Sequence, residues 1–415
     1  MQTAIGAILG LLIAIVLILK KFNTAYSLIL GAVIGGVAGG FALPQTIHYM
    51  MEGVKDVIPA IVRILTAGVL SGVLIKTGAA SRIALTIAGV MGERKSLVAL
   101  ILSAFLLTAI GVFIDVAVLT VAPIALAVGK RMNYSKMKIL IGMIAGGKCG
   151  NIISPNPNTI IAAENFQANL SSVMYVNLVP AIVGLIAATG LIYIFTDKGE
   201  RITSLPEQED VSGLPSFWRS IAGPAFTVFL LMLRPLAGIT VDPLIALPAG
   251  GVLGIIVMSR FGMLTESLSY GLEKMSGVAI LLIGTGTIAG IIKVSSLKDV
   301  ILSGLQHLSI GETLVAPVSG ALMSAVTAST TAGATLASAS FAEVVMASGI
   351  SAVWGAAMVN SGATVLDHLP HGSFFHVTAG SVEMSLRERL KLIGYESLIG
   401  IVLAIATVVC YLVVK

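Results

Sequence analysis

Apolar segments close to the length that crosses a bilayer recur along almost the whole chain. The first is Thr3–Leu19 and the last is Leu398–Val414. A helix needs about 20 mostly apolar residues to span the hydrocarbon core. Of the 415 residues, 56% are hydrophobic and 11% are charged, whereas about 25% are charged in ordinary soluble domains. The chain is therefore predicted to be an all-α polytopic membrane protein.

A polar, helix-breaking segment at residues 146–159 interrupts this apolar pattern with glycines and two prolines. Hydrocarbon tolerates unpaired backbone groups only where they line a watery cavity, and such broken helices are typical of transporter substrate sites. A polar turn outside the membrane is the alternative. The short helix predicted before the break, Met137–Lys148, favours the site because it cannot span the membrane by itself.

A second polar segment, at residues 360–373, lies at the corresponding place near the C-terminus. It contains three ionisable residues, Asp367, His368 and His371. Ionisable residues at membrane depth are functional candidates by default, and histidine can exchange a proton near neutral pH. A capped turn at the membrane surface is an equally open interpretation of these residues.

Two further polar features lie inside apolar stretches. Asp115 has no countercharge nearby in the sequence, so it is expected to face a cavity or a partner. Hydroxyl side chains at residues 329–331 suit a substrate hydroxyl or a desolvated ion, although hydroxyls that bond to their own helix are as common. The candidates for proton coupling are Asp115, Asp367, His368 and His371. The candidates for substrate binding are Lys148, Asn151, Ser154, Asn156, Asn158, Thr159, Ser329, Thr330, Thr331 and Thr364.

The chain divides into two similar halves. Residues 197–216 form the only long hydrophilic stretch and separate residues 1–196 from residues 217–415. The order of apolar and polar segments repeats between the halves, which predicts two repeats of inverted topology with broken helices. A Gly-x-x-x-Gly pair recurs at corresponding positions, as Gly68 and Gly72 and then as Gly286 and Gly290.

Several function classes lack their sequence signatures. No Walker loop, His-Glu-x-x-His or Gly-x-Ser-x-Gly motif occurs, so we predict neither an enzyme nor ATP-driven transport within this chain. The two cysteines, Cys149 and Cys410, have no metal-binding spacing and are not expected to form a disulfide. The net charge of +5 fits basic cytoplasmic loops rather than nucleic-acid binding. No cofactor and no metal are expected.

Two motifs resemble the gluconate permease (GntP) family, and the resemblance covers nearly the whole chain. Residues 155–163 read Pro-Asn-Pro-Asn-Thr-Ile-Ile-Ala-Ala, and residues 367–371 read Asp-His-Leu-Pro-His. The resemblance implies the fold of the ion transporter superfamily, with inverted repeats and re-entrant hairpins. It also implies uptake of gluconate or related hydroxy acids with protons. Many gluconate permeases carry Pro-Pro-His-Pro-Gly-Pro at the first break, and this chain departs from that pattern.

These patterns together predict a secondary active transporter of the bacterial inner membrane. We expect it to import a small hydroxylated carboxylate with protons, as a homodimer in the lipid bilayer. Sodium-coupled carboxylate transport or sodium/proton exchange on the same fold is the alternative. A passive channel fits less well because the polar breaks are isolated.

The site and its motion can be predicted in outline. The two breaks should meet near the bilayer midplane, where helix N-termini would bind an anion and Lys148 would supply a countercharge. The part that contains both breaks should move against a scaffold made from Thr3–Leu43 and Ala222–Met258. The four repeated glycines are expected to provide close sliding contacts for this motion.

Overall fold

The computed structural model describes residues 2–92, 95–195, 198–202, 213–297, 299–300 and 311–415. These residues fold almost entirely into α-helices, and no strand is formed among them, so the all-α prediction is confirmed. The helices of the first half are α1 (Gln2–Leu19), α2 (Thr24–Ala38), α3 (Leu43–Lys76), α4 (Ala79–Met91), α5 (Ser96–Ala109), α6 (Ile114–Arg131), α7 (Lys136–Asn151), α8 (Pro157–Asn165), α9 (Leu170–Val176) and α10 (Leu178–Phe195).

The described part of the second half repeats this order. Its helices are α11 (Phe217–Ala237), α12 (Pro243–Met258), α13 (Leu264–Val294), α14 (Gly311–Thr327), α15 (Thr330–Ala347), α16 (Ala352–Gly362), α17 (Ser373–Ser381), α18 (Leu386–Lys391) and α19 (Ile393–Val414). Each half therefore has an opening hairpin, a long helix, a second hairpin, a helix broken in two and a closing span. The order predicted from the sequence is present in the structure.

Four helical stretches of the described chain are long and apolar enough to cross a membrane, and α9 with α10 forms a further pair bent by 42°. The four stretches are Gln2–Leu19, Leu43–Lys76, Phe261–Val294 and Leu386–Val414. The protein is thus a multi-pass membrane protein. In two of these stretches, Leu43–Lys76 and Phe261–Val294, the earlier turns carry more polar residues than the later ones.

The long helices α3 and α13 cross each other in close contact where glycines remove the side chains. A Cβ on Gly68 would lie 2.7 Å from the carbonyl oxygen of Gly271, and a Cβ on Gly286 would lie 2.8 Å from that of Gly53. Residue numbers thus rise along one helix as they fall along the other. Equivalent helices of the two halves run antiparallel, as inverted repeats require.

The repeated glycines all lie at the contact between α3 and α13. Gly68 and Gly72 on α3 face α13, and Gly286 and Gly290 on α13 face α3. They join the two halves of the chain to each other, and that this contact slides during transport stays a prediction. Small residues in membrane helices allow this close approach of two backbones.

Replacing Gly72 with alanine is expected to lower the free energy of unfolding by about 1–3 kcal/mol, since overpacking costs that much. The added Cβ would clash with the carbonyl oxygen of Ser267 on α13. Gly89→Ala is the control, because a Cβ on Gly89 in α4 meets nothing within 4 Å. Thermal unfolding in detergent measures both variants, and an equal melting temperature for the two would contradict this packing.

Candidate functional site

The first break is shorter than the sequence predicted. Helix α7 continues through Gly146, Gly147 and Gly150 and ends at Asn151, so the glycine cluster does not interrupt it. Gly146 and Gly150 instead let α7 lie against the backbone of α5. The backbone leaves the helix over residues 152–156, and α8 begins at Pro157.

Helix α8 begins with two standard helix-start residues. Pro157 occupies the first turn, where its missing N–H costs nothing. The Asn156 side chain caps the helix, because its Oδ1 accepts a hydrogen bond from the Thr159 N–H at 3.2 Å. The Pro-Asn-Pro-Asn-Thr pattern therefore sets the point at which the second part of the broken helix starts.

The second broken helix has the same form. Helix α16 ends at Gly362 and α17 begins at Ser373. Gly362 packs against the backbone of Pro317 on α14, as Gly146 packs on α5. Each broken helix thus lies against the first arm of the hairpin in its own half.

Amide side chains join the two broken helices inside the protein. Asn158 Nδ2 donates to Asn360 Oδ1 at 2.7 Å, and Asn360 Nδ2 lies 3.1 Å from Thr159 Oγ1 and 3.3 Å from the carbonyl oxygen of Ile152. All three polar side chains are buried. Buried polar groups need such partners, so this cluster fixes the two breaks against each other.

A buried ionic network lies next to these amides. The Lys148 Nζ donates to Asp367 Oδ1 at 2.6 Å and to the Thr364 carbonyl oxygen at 2.5 Å, and it lies 3.0 Å from His368 Nδ1. The side chains of Lys148 and Asp367 are 0% and 3% exposed. An ammonium has three N–H donors, so protein atoms occupy all of them. Lys148 comes from the first half of the chain and its partners come from the second.

The neighbours of His368 determine which ring nitrogen carries the proton. Nε2 lies 3.0 Å from the carbonyl oxygen of Ile393 and 3.2 Å from Ser397 Oγ. A carbonyl only accepts, so Nε2 donates, and Nδ1 of the neutral ring accepts from Lys148. A second proton would bind at Nδ1, which also lies 3.1 Å from Asp367 Oδ1.

A second buried ion pair, between Arg389 and Glu396, lies next to the imidazole ring of His368. Arg389 donates to the Glu396 carboxylate through both terminal nitrogens of its guanidinium group. Glu396 Oε2 lies 3.9 Å from His368 Nδ1. Both side chains of the pair are fully buried. Sequence analysis missed it because the charges near α18 resemble an ordinary charged turn before the last span. Arg389 and Glu396 have opposite charges and lie two helical turns apart in the sequence, and this spacing could have predicted the pair.

A cavity of about 240 Å³ is lined on one side by Asp367. The first turns of α6, α15 and α17 meet at it. Drug-sized ligands occupy roughly 300–1,000 Å³, so this cavity suits a small solute. Its apolar lining includes Phe113, Ile114, Val278, Leu281 and Phe374. Its polar lining residues are Asp115, Ser329, Thr330, Thr331, Asp367 and Ser373.

Several predicted residues come together at this cavity. Asp115 accepts from the Val116 N–H at 2.9 Å, Ser329 caps α15 by accepting from the Ala332 N–H at 3.3 Å, and Thr330 Oγ1 donates to Asp367 Oδ2 at 2.6 Å. Thr331 also lines the cavity, whereas Lys148, Thr364 and His368 lie behind Asp367.

The other predicted residues do not line the cavity. His371 Nε2 lies 3.1 Å from the Val326 carbonyl oxygen. Ser154 is fully buried, and its Oγ has no partner among the described residues. The remaining ones, which belong to the amide cluster and its immediate neighbours, are Asn151, Asn156, Asn158 and Thr159.

Another ionic cluster joins the first broken helix to the long helix of the first half and to the opening hairpin of the second half. Arg63 on α3 binds Glu164 at the end of α8 at 2.6 Å and Asp242, in the loop before α12, at 2.9 Å. The hydrogen bond from the Arg63 guanidinium lowers the pKa of Asp242. In the described part of the chain, no three His, Cys, Asp or Glu side chains are grouped so that they could hold a metal ion.

The fold and the relatives define the class of protein. The fold is similar to that of the solved Alcanivorax borkumensis YdaH transporter, with a TM-score of 0.66 and 13% identity over 89% of this chain and 88% of that one. The model of the GntP family permeases matches residues 2–249. The protein belongs to the GntP permease family, as its two motifs indicated.

Two relatives extend over the full length. An uncharacterized transporter from Haemophilus influenzae is 48% identical over 417 residues, which is 100% of this chain and 99% of that protein. The high-affinity gluconate transporter of Escherichia coli is 24% identical over 96% of this chain and 98% of its own. The model of a Na+-H+ antiporter family also matches residues 220–309.

Proposed function

We propose that this permease is a secondary active symporter of the bacterial inner membrane that imports a small hydroxylated carboxylate with protons. The single observation that carries this proposal is the buried network of Lys148, Asp367 and His368. It draws on both broken helices, contains a histidine ring whose Nδ1 can take up a second proton, and reaches the cavity through Asp367.

The network can link proton binding to anion binding. With a neutral ring, the charges of Lys148 and Asp367 cancel. A proton at His368 Nδ1 adds one positive charge beside Asp367, and it removes the ring nitrogen as an acceptor for one Lys148 N–H. Opposite charges in a poorly screened interior attract strongly, so a protonated network favours an anion in the cavity. Proton and anion then enter together, which is the requirement for symport.

The cavity suits the rest of a hydroxylated carboxylate. The N-termini of α15 and α17 carry unpaired N–H groups and a partial positive charge, which favour a carboxylate. Thr331 and Ser373 place hydroxyls at the same cavity. These groups can bind substrate hydroxyls without adding charge.

Alternating access follows from the arrangement of the halves. We assign α5–α8 and α14–α17 to a moving part, and α1–α3 with α11–α13 to a scaffold that forms the homodimer. The breaks belong to the first group, and three of the four stretches long enough to cross a membrane belong to the second, namely Gln2–Leu19, Leu43–Lys76 and Phe261–Val294. The Arg63 cluster crosses the border between the two parts.

Sodium coupling is the alternative, and the match of residues 220–309 to a Na+-H+ antiporter family favours it. Uptake into proteoliposomes under an imposed pH gradient, with and without sodium, distinguishes the two. We expect accumulation that needs the pH gradient, is abolished by a protonophore and is unaffected by sodium. Accumulation that follows sodium would replace proton coupling, and equilibration without accumulation would indicate a channel.

The variant His368→Gln is expected to lose accumulation driven by the pH gradient because a glutamine side chain cannot take up a proton. It should still exchange labelled for unlabelled substrate when no gradient is applied. His376→Gln is the matched control, since that histidine is exposed on α17 and bonds only to the Pro370 carbonyl oxygen. Unchanged accumulation by His368→Gln would remove His368 from the coupling mechanism.

A further inference from the structure

A buried carboxylate that the proposed transport mechanism does not use lies beside His368. Glu396, in the first turn of α19, is fully buried, and its Oε2 lies 3.9 Å from His368 Nδ1. The carbonyl oxygen of Ile393 and the hydroxyl oxygen of Ser397, also on α19, lie 3.0 and 3.2 Å from the other ring nitrogen, Nε2. Helix α19 therefore orients the ring through Nε2 and places a negative charge close to Nδ1.

Two carboxylates face the nitrogen that takes up the second proton. Asp367 Oδ1 lies 3.1 Å from Nδ1, but Lys148 and Thr330 already donate to the two oxygens of Asp367. The neutral ring accepts from Lys148, so a proton at Nδ1 brings a second positive charge toward this ammonium group. The negative charge of Glu396 is close enough to offset that repulsion.

Arg389 on α18 holds the Glu396 carboxylate in place. It donates to both carboxylate oxygens and also to α17, where it bonds to the Phe375 carbonyl oxygen at 3.3 Å and to Thr378 Oγ1 at 3.2 Å. Both side chains of the pair are 0% exposed. A fully buried ion pair adds little stability over apolar residues of similar volume, so stability alone is a weak explanation for these two charges.

The charges around the neutral His368 ring cancel. Lys148 and Arg389 are positive, and Asp367 and Glu396 are negative. A proton on the ring leaves this buried group with one net positive charge. Among the described residues, Glu396 lies within 4 Å of the ring, whereas no hydrogen bond joins Arg389 to it. The second ion pair thus presents its negative member to the ring.

We propose that Glu396 is a positioning residue for proton coupling. It presents its negative charge to His368 and so favours the protonated ring, while Arg389 fixes the carboxylate. The proton binds at His368 Nδ1, and Glu396 stays ionised throughout. This inference rests on the proposed symport and adds to it a residue that does not line the cavity. The two members of the pair should therefore change the pH dependence of uptake in opposite directions.

The test measures uptake of labelled gluconate and labelled lactate into proteoliposomes over a range of external pH. Arg389→Met with Glu396→Gln removes both charges, so this double variant should still fold. We expect it to need about a tenfold higher proton concentration for half-maximal uptake. A charge at 3.9 Å is worth about one to three pH units, depending on screening, and the loss of Arg389 offsets part of that shift.

The single variants give the sign of the effect. Glu396→Gln leaves the charge of Arg389 near the ring, so half-maximal uptake should move to a still lower pH. Arg389→Met leaves the charge of Glu396 uncompensated and should move it to a higher pH. Glu396→Asp keeps the negative charge and should lie closer to the wild-type protein than Glu396→Gln does. A purely structural pair would not produce shifts of opposite sign.

The matched control is Lys76→Met with Glu266→Gln, which removes an ion pair of 2.9 Å between α3 and α13 outside the network. Thermal unfolding in detergent identifies the variants that fold. A folded double variant with the wild-type pH profile, or equal profiles for Glu396→Asp and Glu396→Gln, would overturn the role of Glu396 and leave symport intact. Wild-type uptake that is independent of pH, or absent for both compounds, would refute the proposed function as well.

Discussion

Replacing Lys148 with methionine is expected to abolish uptake and to lower the free energy of unfolding by about 3–5 kcal/mol, because it leaves a buried carboxylate without its cation. Asp367 is 3% exposed on its side chain and would keep only Thr330 and His368 as partners. Uptake in proteoliposomes and thermal unfolding in detergent measure the two effects.

A double variant separates folding from transport. Lys148→Met with Asp367→Asn removes both charges, so most of the lost stability should return while uptake stays absent. Lys293→Met is the control, since Lys293 pairs with Asp56 at the surface, where both side chains are more than half exposed. Its loss should be within about 1 kcal/mol. A double variant that transports normally would show that the pair is structural only.

A cross-link between α3 and α8 is expected to stop transport completely if the broken helices move against the scaffold. Arg63→Cys with Glu164→Cys places the thiols at a pair that now lies 2.6 Å apart at its charged atoms. A short bifunctional maleimide would join them, in a background with Cys149 and Cys410 replaced by alanine. Uptake before and after cross-linking is the measurement.

The control cross-link uses the same chemistry inside the scaffold. Asp56→Cys with Lys293→Cys replaces an ion pair of 2.8 Å between α3 and α13, two helices that we place in one body. Transport should survive there. Full activity with α3 linked to α8 would mean that these helices keep their contact during transport, and the moving-part mechanism would be wrong.

Local patterns predicted much of the fold because each helix start and apolar run is encoded nearby. Lys20 and Lys21 mark the connection between α1 and α2, and Asn156 with Pro157 marks the start of α8. The error in the position of the first break has a physical cause. Gly146 breaks a helix in water but suits a membrane helix that touches another backbone, and sequence alone does not show whether such a contact exists.

The candidate site divides in the same way. Polar residues inside apolar runs pointed to Asp115, Lys148 and Asp367 because few explanations exist for such residues in a membrane. Which of them face a cavity depends on contacts between distant segments. Lys148 meets Asp367 across 219 positions, and Arg63 meets Asp242 across 179. Nothing local encodes these pairs, so the sequence did not predict that Lys148 pairs with Asp367.

The antiparallel crossing of α3 and α13 has a consequence for how such a chain could arise. Two identical halves, joined only by contact, would place the same residues on both sides of their shared axis. Lys148 lies three residues before the end of α7, whereas Asp367 lies five residues after the end of α16, so they are not equivalent positions, and a dimer of identical halves would form this ion pair twice. Joining both halves in one gene allows each copy to acquire its own charge. The single Lys148–Asp367 pair is therefore an asymmetry that two halves joined in one chain can carry.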